Sequence, residues 1–304
     1  QNAGRNGMWE VIGLSDRPYA KYKSPKLNRV LDEGIVSYAD ILSKQGYTCG
    51  HVGKWHIGGQ TTDVGFVAID NNIYEPELKK YADENPQQGV GPITANSIEF
   101  LRENKDKPFF LCVSHHMVHA PLAADEDLVY KYQQKLWKTG IKDIHPVYAA
   151  MVEMGDISLG MLLEELKTHG LEDNTVVVIY SDNGGLLGDM YLKKPTPMAT
   201  TIKPLRNQKG TLYEGGIRVP MIVKWPNIVE PGSMCNEMVH SFDLFSTFIE
   251  IGGGQEPTTQ IMDGQSLLPL LKGEKQTLDR DALFWHFPTC MWTRNPMGAI
   301  RKGN

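Results

Sequence analysis

A stretch of thirteen residues, 46–58, concentrates side chains that can bind an anion. It reads GYTCGHVGKWHIG and carries His51, Lys54, Trp55 and His56. Lys54 and His56 occupy alternate positions after a short β-prone run, so an extended backbone would direct both side chains to one face. That face would present concentrated positive charge to an anion. For an isolated Lys-Trp-His run, the simpler interpretation is a solvated lysine beside a tryptophan and a histidine at the edge of the core, so this stretch alone does not establish an anion site.

Two further polar clusters each follow an apolar run. The run at 109–114 leads into HHMVH, which ends at His119, and the run at 175–180 leads into Asp182 and Asn183. Both runs have the length and composition of strands buried on both faces, which is typical of parallel sheets. Open α/β sheets bind ligands at the carboxyl ends of their strands. We therefore expect both clusters to meet the lysine and histidine described above at one sheet edge.

Each of these clusters also has a purely structural interpretation. Asp182 and Asn183 precede two glycines and are typical of a tight turn, but their oxygens also suit Ca²⁺ or Mg²⁺. The imidazoles of HHMVH suit zinc, although no nearby cysteine or glutamate completes a tetrahedral set. Lys209 precedes a Gly-Gly pair flanked by Glu214 and Arg218. This segment indicates either a surface hairpin with an ion pair or a close approach of the backbone to an anion.

The elements that must position these groups alternate between helices and strands. Apolar spacing predicts helices over 35–45, 94–104, 146–169 and 243–253, with Thr94 and Asp243 as N-caps of the second and fourth. Strands are predicted before the Gly-Lys of the first stretch and over 109–114, 175–180 and 219–225. This alternation indicates an α/β fold in which helices sandwich a mostly parallel central sheet.

Composition excludes several other classes of protein. The chain has 304 residues, 41% hydrophobic and 22% charged, which suits a soluble globular enzyme of one or two domains. A net charge of −5 and scattered basic residues give no support for nucleic-acid binding. Uninterrupted apolar stretches stay far short of a membrane span. The four cysteines match neither a zinc pattern nor a dense disulfide framework, so we expect free or buried thiols, with two bridges as the alternative.

Taken together, the clusters resemble the sulfatase family of the alkaline-phosphatase-like superfamily. GYTCGHVGKWHIG is similar to the family's second signature, and VHAP at 118–121 to its His-x-Pro turn. SDNGG at 181–185 is similar to its metal-binding turn, and KGTLYEGGIRVP at 209–220 to its lysine-bearing segment. The resemblance spans essentially the whole chain. It implies a sulfatase catalytic domain over 1–275 and the start of a C-terminal subdomain over 276–304.

The resemblance also implies roles for individual residues. Asp182 and Asn183 match two ligands of Ca²⁺, with Mg²⁺ as the second choice. Four positions match groups that hold the sulfate, neutralise its oxygens and protonate the leaving alcohol: Lys54, His56, His119 and Lys209. Which histidine donates the proton stays open. The implied substrate is a sulfated small molecule or glycan, and relatives of this kind are exported to the periplasm, the lysosome or outside the cell.

Two family features are not found in this sequence. Sulfatases carry a Cys- or Ser-x-Pro-x-Arg motif whose first residue becomes the formylglycine nucleophile, and an early pair of aspartates that supplies further metal ligands. Residues 1–7 resemble the segment just after that motif, and the chain stops where relatives continue. We therefore expect a fragment of a calcium- and formylglycine-dependent sulfatase, incomplete at both ends and inactive alone.

Two other functions suit the same residues. A non-catalytic protein would use the four cationic positions to bind sulfated glycans or other anions. A phosphodiester or phosphonate hydrolase of the same superfamily would use the same cationic and metal-binding geometry on a phosphoryl group. The GKWH and KGTLYEGGIR segments favour sulfate over phosphate.

Overall fold

The computed structural model describes residues 3–8, 23–69, 89–187, 199–288 and 296–303. The helices are α1 (Ala3–Asn6), α2 (Tyr38–Lys44), α3 (Val90–Asn104), α4 (Glu126–Thr139), α5 (Pro146–Thr168), α6 (Glu214–Ile217), α7 (Asp243–Ile251) and α8 (Leu268–Leu271). The strands are β1 (Thr48–Gly53), β2 (Phe109–Ser114), β3 (Val177–Tyr180), β4 (Met221–Lys224), β5 (Ala282–Phe287) and β6 (Met297–Lys302). Short 3₁₀ turns lie at Thr61–Val64 and Glu172–Asn174.

Strands β1 and β2 form a parallel pair that runs from Thr48 opposite Phe109 to Gly53 opposite Ser114. A parallel pair needs a crossover connection, and α3 lies in that connection and packs on both strands. Gly50 permits this packing because an added Cβ would lie 2.4 Å from the ring of Phe100 on α3. This unit is the strand, helix and strand arrangement that the sequence predicts.

The other face of the parallel pair is covered by α2 and α7. Tyr38 of α2 contacts Phe110 of β2 with ring centroids 5.0 Å apart, and Phe110 contacts Phe248 of α7 at 5.2 Å. Leu42 of α2 and Cys49 of β1 are buried in the same cluster. Helices therefore lie on both faces of a parallel pair, which confirms the predicted α/β sandwich.

The pairing of β3 corrects one expectation. The predicted strand at 175–180 forms β3, but β3 pairs antiparallel with β4 instead of extending the parallel pair. Among the described residues between β3 and β4, which are 181–187 and 199–220, the only helical turn is α6. Ile179 and Ile222 face each other across this pair and are 39% and 59% exposed.

Two predicted helix caps are also wrong. Helix α3 begins at Val90, so Thr94 lies inside it, and the Thr94 hydroxyl donates to the Val90 carbonyl at 2.6 Å. Helix α7 begins at Asp243 itself, with Phe242 as the N-cap. The Asp243 carboxylate accepts the backbone N–H of His240 at 2.7 Å instead of capping the next turn. Neither side chain caps its helix: that of Thr94 bonds within α3 and to Ser158 of α5, and that of Asp243 bonds to the backbone before α7.

Helix α5 confirms the longest predicted helix. Its length and apolar composition would also suffice to cross a membrane. However, α3 and α4 both pack against it, and its Ser158 makes a buried hydrogen bond to Thr94 of α3. The residues of α5 that are buried are Ala150, Met151, Met154, Ser158 and Leu166.

The chain after α8 forms an antiparallel hairpin of β5 and β6. Arg280, just before β5, forms an ion pair with the fully buried Asp243 and also donates to the Met238 carbonyl at 2.8 Å. These contacts tie the hairpin to α7. A domain boundary at 275/276 stays a prediction.

Replacing Arg280 by Met should destabilise the chain strongly. The Asp243 carboxylate would keep its buried position but lose its cationic partner, which costs about 3 kcal/mol in the free energy of unfolding. Urea denaturation gives this quantity. The control is Lys224→Ala, which breaks the exposed Lys224–Glu172 pair and should change the free energy of unfolding little. Equal losses in the two variants would contradict a structural role for the buried pair.

Candidate active site

The first part of the site forms where β1 and β2 end together. Gly53 has a positive φ of 98°, and a Cβ there would lie 2.2 Å from the Ser114 carbonyl oxygen. The backbone N–H of Lys54 donates to that same oxygen at 2.7 Å. Lys54 and the exposed His56 therefore follow the strand instead of belonging to it. The two side chains are still close enough to interact: desolvation lowers the pKa of His56, and the charge of Lys54 is the next cause in the same direction.

His51 and Trp55 of the same stretch belong to the core side. The His51 Nε2 atom lies 3.2 Å from the Ser114 hydroxyl, and burial lowers the pKa of His51. The His51 ring packs against Trp55 and Phe66 with centroids 5.0 and 5.6 Å apart. His51 and Trp55 therefore pack among core residues next to the strand end that carries Lys54.

The histidine-rich segment leaves β2 at the same sheet edge. The backbone N–H of His119 donates to the His116 carbonyl at 3.2 Å, which closes a turn. The His119 Nδ1 atom lies 2.7 Å from the Ala120 carbonyl oxygen. Because a carbonyl oxygen only accepts, Nδ1 carries a proton and donates it. This bond fixes the orientation of the exposed His119 ring.

Asp182 and Lys209 come together through close contacts between glycine backbones. The Gly184 N–H donates to the Gly216 carbonyl at 3.0 Å, and the Lys209 N–H donates to the Gly185 carbonyl at 3.0 Å. A Cβ on Gly184 would lie 1.8 Å from the Gly215 carbonyl oxygen. Only glycine permits this approach, so the turn after β3 and the segment before α6 form one rigid unit.

Glu214 and Arg218 form the ion pair that the sequence suggests, but the segment that carries them is not a hairpin. Residues Glu214–Ile217 form the single helical turn α6. Glu214 accepts a hydrogen bond from Arg218 at 3.0 Å on the protein surface. These two residues brace the loop that carries Lys209.

Electrostatic interactions link the parts into one group. Partial desolvation lowers the pKa of His56, and four neighbouring groups lower it further: Lys54, His116, His119 and Lys209. Burial also lowers the pKa of Lys209, with Lys54 acting in the same direction and Asp182 opposing it. The structure thus brings the four predicted cationic residues and Asp182 to one place.

His116 belongs to the histidine cluster that the sequence places at this sheet edge, but the family resemblance assigns it no role. Burial lowers the pKa of His116, followed by the charges of Lys54 and His119. Its position three residues before His119 was the available signal, since a turn places such residues side by side. Across the described residues, no three His, Cys, Asp or Glu side chains are placed to share a metal ion.

Asp182 and Asn183 have the donor atoms for a hard cation. The Asp182 side chain is exposed, and the Asn183 amide nitrogen donates to the Gly184 carbonyl at 2.9 Å, which leaves the amide oxygen as the atom that can bind a cation. Carboxylate and amide oxygens fit Ca²⁺ or Mg²⁺. Two oxygen ligands are well below the six to eight that Ca²⁺ takes.

This geometry can bind a tetrahedral anion and exchange protons with it. Lys54 and Lys209 supply positive charge from two different segments, which can contact different oxygens of one anion. Desolvation, followed by neighbouring charges, lowers the pKa values of His56 and His116, so these two side chains can gain a proton when negative charge arrives.

Comparison with known proteins gives a consistent result. A sequence model of the Sulfatase family matches residues 13–254. The chain is 38% identical over 217 residues to a sulfatase of Formosa agariphila, which covers 66% of this chain and 36% of that protein. It is 31% identical over 192 residues to the steryl-sulfatase of Homo sapiens, which covers 63% of this chain and 31% of that protein. The chain thus spans about a third of the length of these relatives.

Solved structures show the same fold. Ps i-CgsB in complex with k-i-k-neocarrahexaose matches with a TM-score of 0.72 and 24% identity, over 92% of this chain and 66% of that one. The PsFucS1 sulfatase from Pseudoalteromonas sp. matches with a TM-score of 0.64 and 23% identity, over 89% and 60%. These likenesses support an alkaline-phosphatase-like sulfatase fold. Since the family match extends over more than half of the chain and includes every residue of the site, the protein belongs to the sulfatase family.

Proposed function

We propose that this chain is the anion-binding part of a sulfuric ester hydrolase that cleaves sulfate monoesters. The observation that carries the proposal is the convergence of Lys54, Lys209, His56 and His119 beside Asp182. Three separate segments bring these groups together, and glycine contacts and main-chain hydrogen bonds hold the segments in place. A preorganised set of cations stabilises the charge that develops on sulfate oxygens during transfer.

The lysines and histidines have separable tasks in this proposal. Lys54 and Lys209 bind the sulfate oxygens, and the low polarity around Lys209 strengthens its attraction to an anion. A histidine gives its proton to the leaving alcohol oxygen, because imidazole is the side chain that titrates near neutrality. His56 and His119 are the two candidates for this donor.

A hard cation and a covalent nucleophile complete the proposed machinery. Asp182 and Asn183 would hold Ca²⁺, or less readily Mg²⁺, and the ion would neutralise charge on the sulfate group. The nucleophile of the complete protein would be a formylglycine made from the cysteine or serine of a Cys- or Ser-x-Pro-x-Arg motif. That motif is not in this sequence. We therefore expect this chain to bind sulfate but to hydrolyse its esters almost undetectably.

The proposed substrate is a sulfated small molecule or glycan. One relative is named for steryl sulfate chemistry, and Ps i-CgsB was solved with an oligosaccharide. The acidic net charge gives no support for a nucleic-acid partner. An exported location, as in the family resemblance, belongs to the same proposal.

A second candidate is an anion-binding protein without catalysis. It is favoured by one observation, because the sequence contains the whole cationic group but no nucleophile motif. Joining an in-frame upstream segment that carries the motif distinguishes the two candidates. Hydrolysis of an aryl sulfate by the joined chain supports the hydrolase, and binding without turnover supports the second candidate.

Lys54→Ala should abolish the binding of inorganic sulfate to this chain. The substitution removes a cation that lies near both His56 and His116, so the affinity for sulfate should fall more than about tenfold. Isothermal titration calorimetry measures the change, with Lys224→Ala on the surface of β4 as the control. Undiminished binding by Lys54→Ala would contradict the proposed sulfate site.

Titration with inorganic phosphate tests the phosphoryl alternative, because a preference for phosphate over sulfate would favour a phosphodiester or phosphonate hydrolase.

Sulfate affinity should increase as the pH falls from 8 towards 5. The pKa of His56 is lowered in the free protein by desolvation and neighbouring cations, and a bound anion favours its charged form. Binding therefore takes up a proton, and affinity rises as pH falls through the pKa of the complex. Calorimetry in buffers of different ionisation enthalpy measures this uptake. His56→Gln should reduce the pH dependence, and a pH dependence of unchanged size would assign the uptake to His116 or His119.

Calcium should bind this chain weakly. Asp182 and Asn183 supply only two protein oxygens, so we expect a Kd of about 1 mM or higher. Calorimetric titration of Ca²⁺ measures the affinity, and Asp182→Asn should weaken it further. Tight binding at a 1:1 ratio, on the order of micromolar, would show that other residues of this chain complete the site.

A further inference from the structure

A chain of buried hydroxyl groups connects the histidine segment to the helical core. The His115 Nε2 atom lies 3.2 Å from the Ser158 hydroxyl of α5. Ser158 lies 2.6 Å from the Thr94 hydroxyl of α3, which donates to the Val90 carbonyl at 2.6 Å. Ser158 and Thr94 are each 1% exposed. The connection therefore runs through the interior and ends on the backbone of α3.

The number of protons available fixes which group donates in each hydrogen bond of this His115–Ser158–Thr94–Val90 series. The Thr94 proton goes to the Val90 carbonyl, because a carbonyl oxygen only accepts. Ser158 must therefore supply the proton between its own oxygen and that of Thr94. Since a serine hydroxyl has a single proton, His115 must in turn donate from Nε2 to Ser158. His115 is thus the neutral tautomer with its proton on Nε2.

The second ring nitrogen explains why His115 stays neutral. The buried Nδ1 atom has no hydrogen-bond partner among the described residues. A proton on Nδ1 would be a buried donor without an acceptor, which is costly. Burial, followed by the charge of His116, lowers the pKa of His115 to about 4. His115 therefore adds no charge of its own to a site that already contains several cations.

A second contact holds the same segment against α5. Met117 packs at Gly155, where an added Cβ would lie 2.9 Å from the Met117 sulfur. Gly155 and Ser158 lie three residues apart, so they face the segment from one side of the helix. Residues 115 and 117 are thereby held against α5. His116 lies between them, close enough to Lys54 and His119 for their charges to lower its pKa after desolvation.

We infer that His115 is a positioning residue, which donates from Nε2 to Ser158 and thereby sets where His116 and His119 stand relative to Lys54. The expected effect on sulfate binding rests on the proposed function, since the positioned residues are those of the sulfate site. The bond itself does not depend on that function. His115 makes no contact with the anion and acts only through its neighbours.

The tautomer of His115 is the first test. In a ¹⁵N-labelled chain, the ring nitrogens of His115 should show a proton on Nε2 and none on Nδ1 throughout pH 5 to 8. Ser158→Ala should change the ring signals of His116 and His119. A proton on Nδ1, or titration of His115 within this pH range, would overturn the inference even if the chain binds no sulfate.

Sulfate affinity is the second test, with Ser97→Ala as a matched control. Ser97 is a fully buried helical serine whose hydroxyl donates only to the Ile93 carbonyl of its own helix, at 2.7 Å. We expect Ser158→Ala to weaken sulfate binding about tenfold and Ser97→Ala to change it less than about twofold. Equal effects of the two variants on affinity would show that Ser158 is merely structural.

A conservative variant separates loss of positioning from loss of folding. His115→Gln places an amide N–H donor near the former Nε2 atom, whereas His115→Leu places no donor there. We expect His115→Gln to keep sulfate affinity within about threefold and His115→Leu to lose about tenfold, at similar free energies of unfolding. Equal affinities of the two variants would overturn the inference. Failure of the parent chain to bind sulfate would instead overturn the proposed function, and the ring signals would then decide the positioning role alone.

Discussion

The hydrogen bond from the Lys54 N–H to the Ser114 carbonyl is the constraint on which the site depends. It joins the ends of β1 and β2, so both chains leave the sheet at one point. The positive φ of Gly53 turns the backbone there, and a side chain at this position would collide with the same carbonyl. Because the strands are parallel, residues distant in sequence emerge side by side. Lys54 and the histidine segment are neighbours for this reason.

The other half of the site depends on backbone packing instead of strand pairing. The turn after β3 lies so close to the Gly-Gly pair of α6 that no side chain fits between them. Two main-chain hydrogen bonds then place Lys209 beside Asp182. The site thus combines two rigid supports, and the cationic side chains attached to them need little reorganisation to meet an anion. Preorganisation of this kind is what makes fixed charges effective in stabilising a transition state.

The sequence predicts features that depend on local pattern and misses those that depend on distant partners. The helix at Pro146–Thr168 and the strand at Phe109–Ser114 follow from apolar spacing, and the structure has both. Thr94 has the right type for an N-cap, but its hydroxyl serves a buried connection to α5. The antiparallel pairing of β3 with β4 depends on how a long loop folds, which spacing does not encode. The sequence analysis does not predict helix α4, although Asp125 caps it and Gly140 ends it, because the helix is mostly polar and has no buried residue.

The clustering of positive and protonatable side chains is electrostatically unfavourable, and a bound anion relieves it. Several positive or protonatable side chains lie together, while Asp182 is the acidic group that opposes the pKa shift of Lys209. Desolvation, followed by the charges of neighbouring groups, lowers the pKa values of His56, His116 and Lys209 and so disfavours their charged forms. A buried, uncharged His115 beneath them supports the segment without adding to this repulsion. An anion that binds the folded chain and not the unfolded one relieves the repulsion and stabilises the fold by mass action. The same arrangement that makes the free site electrostatically unfavourable therefore gives it affinity for a dianion, or for a sulfate ester on whose leaving oxygen negative charge develops as the S–O bond breaks.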